Sequence, residues 1–136
     1  NCLCIAHRLV AMKQNGLPIH KAPSAKKGHF VLESSAAVTD GISTVFPYDY
    51  IGIYNREKFI ALGGFDYTIK SAYWQLLDFG IRAHLWGEYI KITTVLQLSY
   101  SEDNPIDDTT PGLDSLSFYL KNKNPKYKID HAYVKS

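Results

Sequence analysis

Hydrophobic residues recur along this chain in runs that are typical of strands. The apolar stretch from Cys2 to Met12 predicts a strand or the end of a helix, and a turn-rich segment, residues 14–28, follows it. Two runs rich in aromatic and β-branched residues, Phe30 to Val38 and Val45 to Tyr54, each predict a strand.

A short helix is predicted next, because its start and stop signals are both present. Asn55 can cap the helical run Arg56 to Leu62, which stops at Gly63 and Gly64. Gly63 suits the left-handed position just past a helix end. A tight loop is expected to follow.

A longer amphipathic helix is predicted from Ser71 to Trp86. Its apolar stripe recurs at every fourth position and consists of Tyr73, Leu77, Ile81 and Leu85. Gln75, Asp78 and Arg82 are spaced by three and four residues, so they line up along one side of this helix, with Trp74 one turn before Asp78. We expect this polar row to face away from the core stripe.

The last third of the chain contains one more clear strand pattern. Gly87 could end the long helix, and Tyr89 to Tyr100 alternates as a half-buried strand does. Trp86 is expected to pack beneath that strand. Residues 101–112, acidic and with two prolines, predict a loop, and Leu113 to Leu120 predicts a short helix before a mobile tail.

Composition limits the class of protein. The chain has 136 residues, 46% of them hydrophobic and 21% charged, which predicts one folded domain. No apolar run reaches the roughly 18 residues that cross a bilayer, and no signal peptide is recognisable, so we expect a cytoplasmic protein unless flanking segments anchor it. Asn1 is followed at once by core-like residues, which indicates a piece of a longer protein.

Charge and residue types limit the classes of ligand that this chain is expected to bind. The net charge of +2 is too small to indicate nucleic-acid binding. Cys2 and Cys4 are too close for an unstrained disulfide, and none of the five histidines has metal-ligand spacing. Aromatic residues make up 13% of the chain, a share that permits a carbohydrate site, although such rings are also ordinary core residues.

Two runs resemble a segment of the family 2 glycosyltransferases. They are Asn55 to Asp66, which ends in Gly-Gly-Phe-Asp, and Tyr73 to Arg82. That family joins a short helix to Gly-Gly-Phe-Asp and then enters a helix with an acidic pair, a second Asp and an Arg, before a glycine and a strand. The match covers Val45 to Tyr100. The resemblance implies an α/β fold, the C-terminal part of a GT-A (nucleotide-diphospho-sugar transferase) fold with a mixed sheet and flanking helices. Residues 1–112 would form its acceptor-side subdomain, and residues 113–136 a short helix and tail.

The resemblance also implies a reaction and roles for residues. The parent enzyme would transfer a sugar from a nucleotide-sugar donor to a saccharide or lipid-linked acceptor. A carboxylate must reach the acceptor hydroxyl that it deprotonates, and the resemblance implies Asp78 as this base and Asp66 as an acceptor ligand or alternative base. The expected substrate contacts are Gly63, Gly64, Phe65, Trp74, Gln75 and Arg82. Among these, Arg82 is expected to orient Asp78 or bond a loop carbonyl rather than bind phosphate.

The sequence departs from the family pattern at two places. Gln75 and Leu76 stand where the family has Glu and Asp, and the chain contains no Asp-x-Asp motif. In the family, the nucleotide and the divalent metal, Mn or Mg, belong to the N-terminal half, so no cofactor is expected in this chain and we expect it to be inactive alone. The donor would then bind through the missing half.

Other interpretations stay open. Asp66 could be only a turn residue, and Asp78 could form only an i,i+4 ion pair with Arg82 on an exposed helix face. The chain could be a non-catalytic carbohydrate-binding or assembly domain, for which Leu76 in place of an acid is the motivation. It could also be an unrelated α/β domain. An apolar face left open could make the chain a homo-oligomer.

Overall fold

The computed structural model describes residues 2–11, 16, 18–26, 29–36, 39–100, 109–122, 125–127 and 132–134. The strands in this part of the chain are β1 (Cys4–Ala11), β2 (His20–Lys26), β3 (His29–Ser35), β4 (Ile42–Ser43), β5 (Ile53–Tyr54), β6 (Ile90–Tyr100), β7 (Pro125–Tyr127) and β8 (Ala132–Val134). The helices are α1 (Arg56–Leu62), α2 (Ala72–Leu85) and α3 (Leu113–Asn122). The architecture is mixed α/β, which confirms the predicted fold class at that level.

The largest sheet has the strand order β4-β6-β1-β5 and mixes both strand directions. Strands β1 and β6 run parallel, and the short edge strands β4 and β5 are antiparallel to their neighbours. The register between β1 and β6 shifts between His7 and Arg8, where a bulge lets His7 pair with Thr93 and Arg8 with Gln97. Two separate antiparallel hairpins, β2-β3 and β7-β8, complete the described strands.

The first four residues of strand β6, Ile90 to Thr93, show the predicted half-buried pattern. Ile90 and Ile92 are buried, whereas Lys91 and Thr93 on the other face are only partly buried. Helix α2 covers the inner face, where Phe79 joins Ile90 in one apolar cluster.

Helix α1 begins and ends at the residues that the sequence predicts. The Asn55 side chain accepts a hydrogen bond from the Lys58 N–H at 3.1 Å, and this caps the first turn. Gly63 has the left-handed φ of 93°, and its N–H donates to the Ile60 carbonyl at 3.0 Å. These bonds confirm the predicted cap and stop.

Helix α2 ends in the same way at Gly87. This glycine has a φ of 74°, and its N–H donates to the His84 carbonyl at 3.1 Å. The next N–H, that of Glu88, donates to the Ala83 carbonyl at 2.9 Å, which completes a Schellman motif. The prediction that Gly87 ends this helix is therefore confirmed.

The environment of α2 differs from the prediction. The helix is buried almost all round, since the sheet covers one side and α3 packs on another through Phe118, which belongs to the core cluster of Trp74 and Ile81. Asp78 is 0% exposed, so the interpretation that its pair with Arg82 lies on an exposed helix face is wrong. Leu85, expected in the apolar stripe, is 44% exposed.

Two other predictions of secondary structure are also wrong. Residues 45–54 do not form one strand, because a single 3₁₀ turn, Tyr48–Tyr50, separates β4 from β5. Pro47 has no N–H to donate, and Asp49 and Tyr50 have positive φ values of 51° and 64°, which extended pairing does not allow. Strand β2 lies within residues 14–28, where turns were predicted, and β3 confirms most of the strand predicted at residues 30–38.

The C-terminal part is described only in pieces. Residues 101–108 of the predicted loop lie outside the described residues, and α3 confirms the predicted short helix. In the segment predicted to be a mobile tail, the described residues form β7 and β8. No helix in the described part of the chain is both long and apolar enough to cross a membrane.

Candidate functional site

The Gly-Gly-Phe-Asp loop, residues 63–66, connects the end of α1 to the turn before α2. Gly63 and Gly64 both have left-handed backbones, with φ of 93° and 64°, so the loop needs glycine at both positions. The Phe65 ring packs 4.7 Å from that of Phe79 and 5.0 Å from that of Tyr50 between centroids. The loop is therefore anchored to the core by its own aromatic side chain.

Arg82 joins this loop to helix α2. Its Nη1 donates to the Leu62 carbonyl at 2.8 Å, and its Nη2 donates to the Gly64 carbonyl at 2.6 Å. Its Nε donates to the Asp78 carboxylate at 3.0 Å. The guanidinium thus holds both a loop backbone and a carboxylate, which is the structural role expected for it.

Asp78 is the carboxylate that the resemblance implied to be the catalytic base. The expected i,i+4 pair with Arg82 is present, but it lies inside the protein, with the Asp78 side chain 0% and the Arg82 side chain 16% exposed. A base must come within hydrogen-bond reach of the hydroxyl it deprotonates. The buried position of Asp78 therefore favours an electrostatic and positioning role.

Gln75 holds the turn that follows the loop. Its amide Nε2 donates to the carbonyls of Asp66 at 3.0 Å and Ile69 at 2.9 Å. Its Oε1 accepts a hydrogen bond from the Tyr50 hydroxyl at 2.7 Å. Because both amide protons are used, Gln75 fixes the backbone beside Asp66 and has little capacity left for a sugar hydroxyl.

Asp66 is partly exposed, unlike Asp78. Its Oδ1 accepts hydrogen bonds from the Thr68 backbone N–H at 2.9 Å and from the Thr68 hydroxyl at 2.6 Å. This is the turn arrangement that was the alternative interpretation of Asp66. It also holds the carboxylate in one orientation at the surface, so the geometry is compatible with a ligand role.

The two tryptophans lie in environments opposite to those expected. Trp74 is only 7% exposed, its indole N–H donates to the Thr110 carbonyl at 3.2 Å, and its ring packs 5.7 Å from that of Phe118. It therefore offers no open face for a sugar in this structure. Trp86 is 77% exposed, so the prediction that it packs beneath the following strand is wrong.

Sequence reasoning missed Tyr50 as part of this site. The Tyr50 phenol donates to Gln75, and its backbone carbonyl accepts from the Tyr54 hydroxyl at 2.8 Å. Burial, reinforced by the nearby charge of Asp49, raises the pKa of Tyr50 and keeps the phenol protonated as a donor. The Pro-Tyr-Asp-Tyr run at residues 47–50 favours a turn, and that signal could have separated Tyr50 from the predicted strand.

Comparison with known proteins adds no family assignment. No protein-family model matches the chain, and no curated protein matches it. Within the described ranges, no group of three His, Cys, Asp or Glu side chains could hold a metal ion.

Proposed function

We propose that this chain is the acceptor-side part of a GT-A-type glycosyltransferase, related to family 2, that transfers a sugar from a nucleotide sugar to a saccharide or lipid-linked acceptor. The observation that carries the proposal is the connection that Arg82 makes between the Gly-Gly-Phe-Asp loop and Asp78 on α2. The motif residues are thereby one physical unit. The resemblance rested on their order along the chain alone.

The order of elements around this unit supports the same proposal. A capped short helix, a left-handed glycine stop, the Asp66 turn, a longer helix with Asp and Arg, a second glycine stop and a strand follow one another. Each could occur in an unrelated protein. Their combination with the Arg82 bridge is what favours the transferase.

Within this proposal, Asp66 is the better candidate for the acceptor ligand or base. It is partly exposed, and Gln75 fixes the backbone on which it stands. Asp78, buried against Arg82, is a positioning residue that neutralises the guanidinium and so holds the loop. The acceptor hydroxyl would donate its proton to the Asp66 carboxylate as its oxygen attacks the anomeric carbon. The bond from that carbon to the nucleoside diphosphate would break, and the nucleotide would leave with the bonding electrons.

The nucleotide and the divalent metal are assigned to the remainder of a longer protein. The described residues do not bring together a ligand set that fits such a metal, so no step of the proposal runs through one. We expect the isolated chain to be inactive.

The first test compares this chain with the longer protein that contains it. Both are titrated in a calorimeter with UDP- and GDP-sugars, with and without manganese. Binding by the longer protein alone supports a donor site outside this chain. Failure of both to bind a nucleotide sugar contradicts the transferase.

The second test separates the two carboxylates in the longer protein. We expect Asp66→Asn to lower turnover by about 100-fold or more, because it removes the carboxylate that would accept the proton. The protein should keep its melting temperature, because the Asn amide oxygen can still accept the two hydrogen bonds from Thr68. Asp78→Asn, in contrast, should lower the melting temperature, since it breaks a buried ion pair. Glu57→Gln, an exposed change on α1, is the control. Unchanged turnover in Asp66→Asn would exclude Asp66 as the base.

A second candidate function is a non-catalytic carbohydrate-binding domain. The observation that favours it is Leu76, which stands where the family has an acid and is only 3% exposed in the core. Glycan binding by the longer protein without transfer, in the presence of nucleotide sugar and metal, would support it over the transferase.

A further inference from the structure

A pocket of about 600 Å³ lies away from the Gly-Gly-Phe-Asp loop, between β2, β4 and the segment that follows α2. Lys21, Thr44, Val45 and His84 are its buried lining residues. Glu88 and Tyr89 form part of its rim. The volume falls within the range of about 300–1,000 Å³ that is typical of small-molecule sites.

Buried polar groups are concentrated at this pocket. The described residues include five buried polar or charged side chains, Lys21, Thr44, Asp78, His84 and Ser115. Three of the five line the pocket. Burying a polar group costs free energy unless it is hydrogen-bonded, so such a concentration around one cavity is typical of a binding site.

Backbone hydrogen bonds fix the wall of the pocket. The Lys21 N–H donates to the Thr44 hydroxyl at 2.9 Å, and the Val45 N–H donates to the Lys21 carbonyl at 2.9 Å. His20 at the rim contacts the Ser43 carbonyl through Nε2 at 3.0 Å. The pocket is therefore formed in advance of any ligand.

The pocket lining contains one ammonium group, that of Lys21, and one carboxylate, that of Glu88. The Lys21 ammonium donates to the Ser34 hydroxyl at 2.8 Å and lies 5.3 Å from the Tyr48 ring centroid. The Glu88 carboxylate pairs with Lys58 at 2.7 Å. A phosphorylated or strongly acidic ligand would need an excess of cationic groups that face it. The lining holds one group of each sign, so it favours a neutral ligand.

The remaining lining combines apolar surface with an aromatic ring and polar groups. Ala22, Pro23 and Ile42 supply the apolar part, and Ser43 adds a hydroxyl. Tyr89 is 58% exposed as a residue, and the Lys91 ammonium lies 5.7 Å from the centroid of its ring, so a ligand would pack on the other face of the ring. A sugar ring has apolar C–H faces that pack on aromatic rings and hydroxyls that pair with polar groups.

We propose that this pocket binds a neutral saccharide, of mono- or disaccharide size, in contact with Tyr89. The site is distinct from the residues proposed for acceptor binding, and the proposal does not depend on sugar transfer. If the protein is a transferase, the pocket would bind a part of the glycan that lies away from the end where the sugar is transferred.

The test is saturation-transfer NMR on this chain with glucose, N-acetylglucosamine, maltose and cellobiose. We expect at least one of the four to receive saturation, and glucose 6-phosphate to receive less than glucose. Ala22→Trp, which adds a large ring at one of the lining residues, should abolish the effect. Ile60→Trp adds the same ring to an exposed position on α1 and should leave binding unchanged.

Tyr89→Ala is the second variant, in case Ala22→Trp does not fold. Tyr89 is exposed, so its removal should leave the fold intact. It should raise the Kd of the bound saccharide about 2- to 10-fold while the thermal transition stays in place. The proposal is overturned if none of the four sugars receives saturation, or if binding is unchanged in both Tyr89→Ala and Ala22→Trp. It is also overturned if binding is lost in Asp66→Asn but kept in those two variants. The last result would place the saccharide at the loop instead.

Discussion

Replacing Arg82 by Met tests the connection on which the proposed site depends. The change keeps the apolar stem and removes three hydrogen bonds, those to Asp78, to the Leu62 carbonyl and to the Gly64 carbonyl. The Asp78 side chain is 0% exposed, so its charge loses this partner in a medium that solvates it poorly. Breaking a buried pair in this way costs about 3–5 kcal/mol of the free energy of unfolding.

A double variant separates this loss of unfolding free energy into two parts, the cost of the unpaired Asp78 charge and the cost of the lost bonds to the two carbonyls. Asp78→Leu with Arg82→Met removes both charges, so the penalty for a buried unpaired carboxylate disappears. The two carbonyl bonds are still lost, at about 1 kcal/mol each. The double variant should therefore be about 1–3 kcal/mol less stable than the wild type, and more stable than Arg82→Met alone.

Urea denaturation followed by circular dichroism measures these differences. Lys58→Met is the matched control, because it breaks the more exposed pair with Glu88, whose side chains are 27% and 22% exposed, and should cost about 1 kcal/mol or less. If Arg82→Met costs no more than Lys58→Met, Arg82 does not hold the loop. Asp78→Leu alone completes the cycle, and a loss in the double variant equal to the sum of the two single losses would show that Asp78 and Arg82 are not coupled.

Two further predictions concern the core. Gly80→Ala should lower the free energy of unfolding by about 1–3 kcal/mol despite the better helix propensity of Ala, because the new Cβ would overlap the Val45 carbonyl oxygen and lie 2.9 Å from its carbon. Gly112→Ala, whose Cβ meets nothing within 4 Å, should change it little, and equal effects in urea denaturation would refute this packing. Burial raises the pKa of Cys4 from 9.0 to about 12, so its contribution to stability is complete below pH 9 and is lost as pH rises towards 12, by up to about 4 kcal/mol. Cys4→Ala should flatten this alkaline decline in denaturation curves, and an unchanged slope would contradict the effect.

The helix boundaries could be predicted because their signals are local. Asn55 accepts the N–H three residues later, and Gly63 and Gly87 take left-handed backbones that other residues rarely adopt. Neither property depends on what packs against the helix. The breaks around Tyr48–Tyr50 were missed because aromatic and β-branched content outweighed Pro47 in that prediction.

The burial of the polar row could not be predicted from spacing alone. Spacing assigns Gln75, Asp78 and Arg82 to one side of α2, but it does not say which other segment covers that side. Here the covering segment is the loop at residues 63–66, held by the same Arg82 that belongs to the row. A polar stripe on a helix is therefore as compatible with a buried hydrogen-bonded contact as with an exposed cleft.

Gly80 carried a signal that could have corrected this error. A glycine inside a helix costs about 1 kcal/mol relative to Ala, so its presence within α2 indicates that another segment approaches closely. Residues two apart on a helix point about 200° from each other, which places Gly80 roughly opposite Asp78. Val45 covers the Gly80 side, and the Arg82 pair occupies the Asp78 side. Because both sides of α2 are covered, a substrate meets this unit at the loop edge, where Asp66 is partly exposed, or reaches Asp78 only if the loop moves away from Arg82.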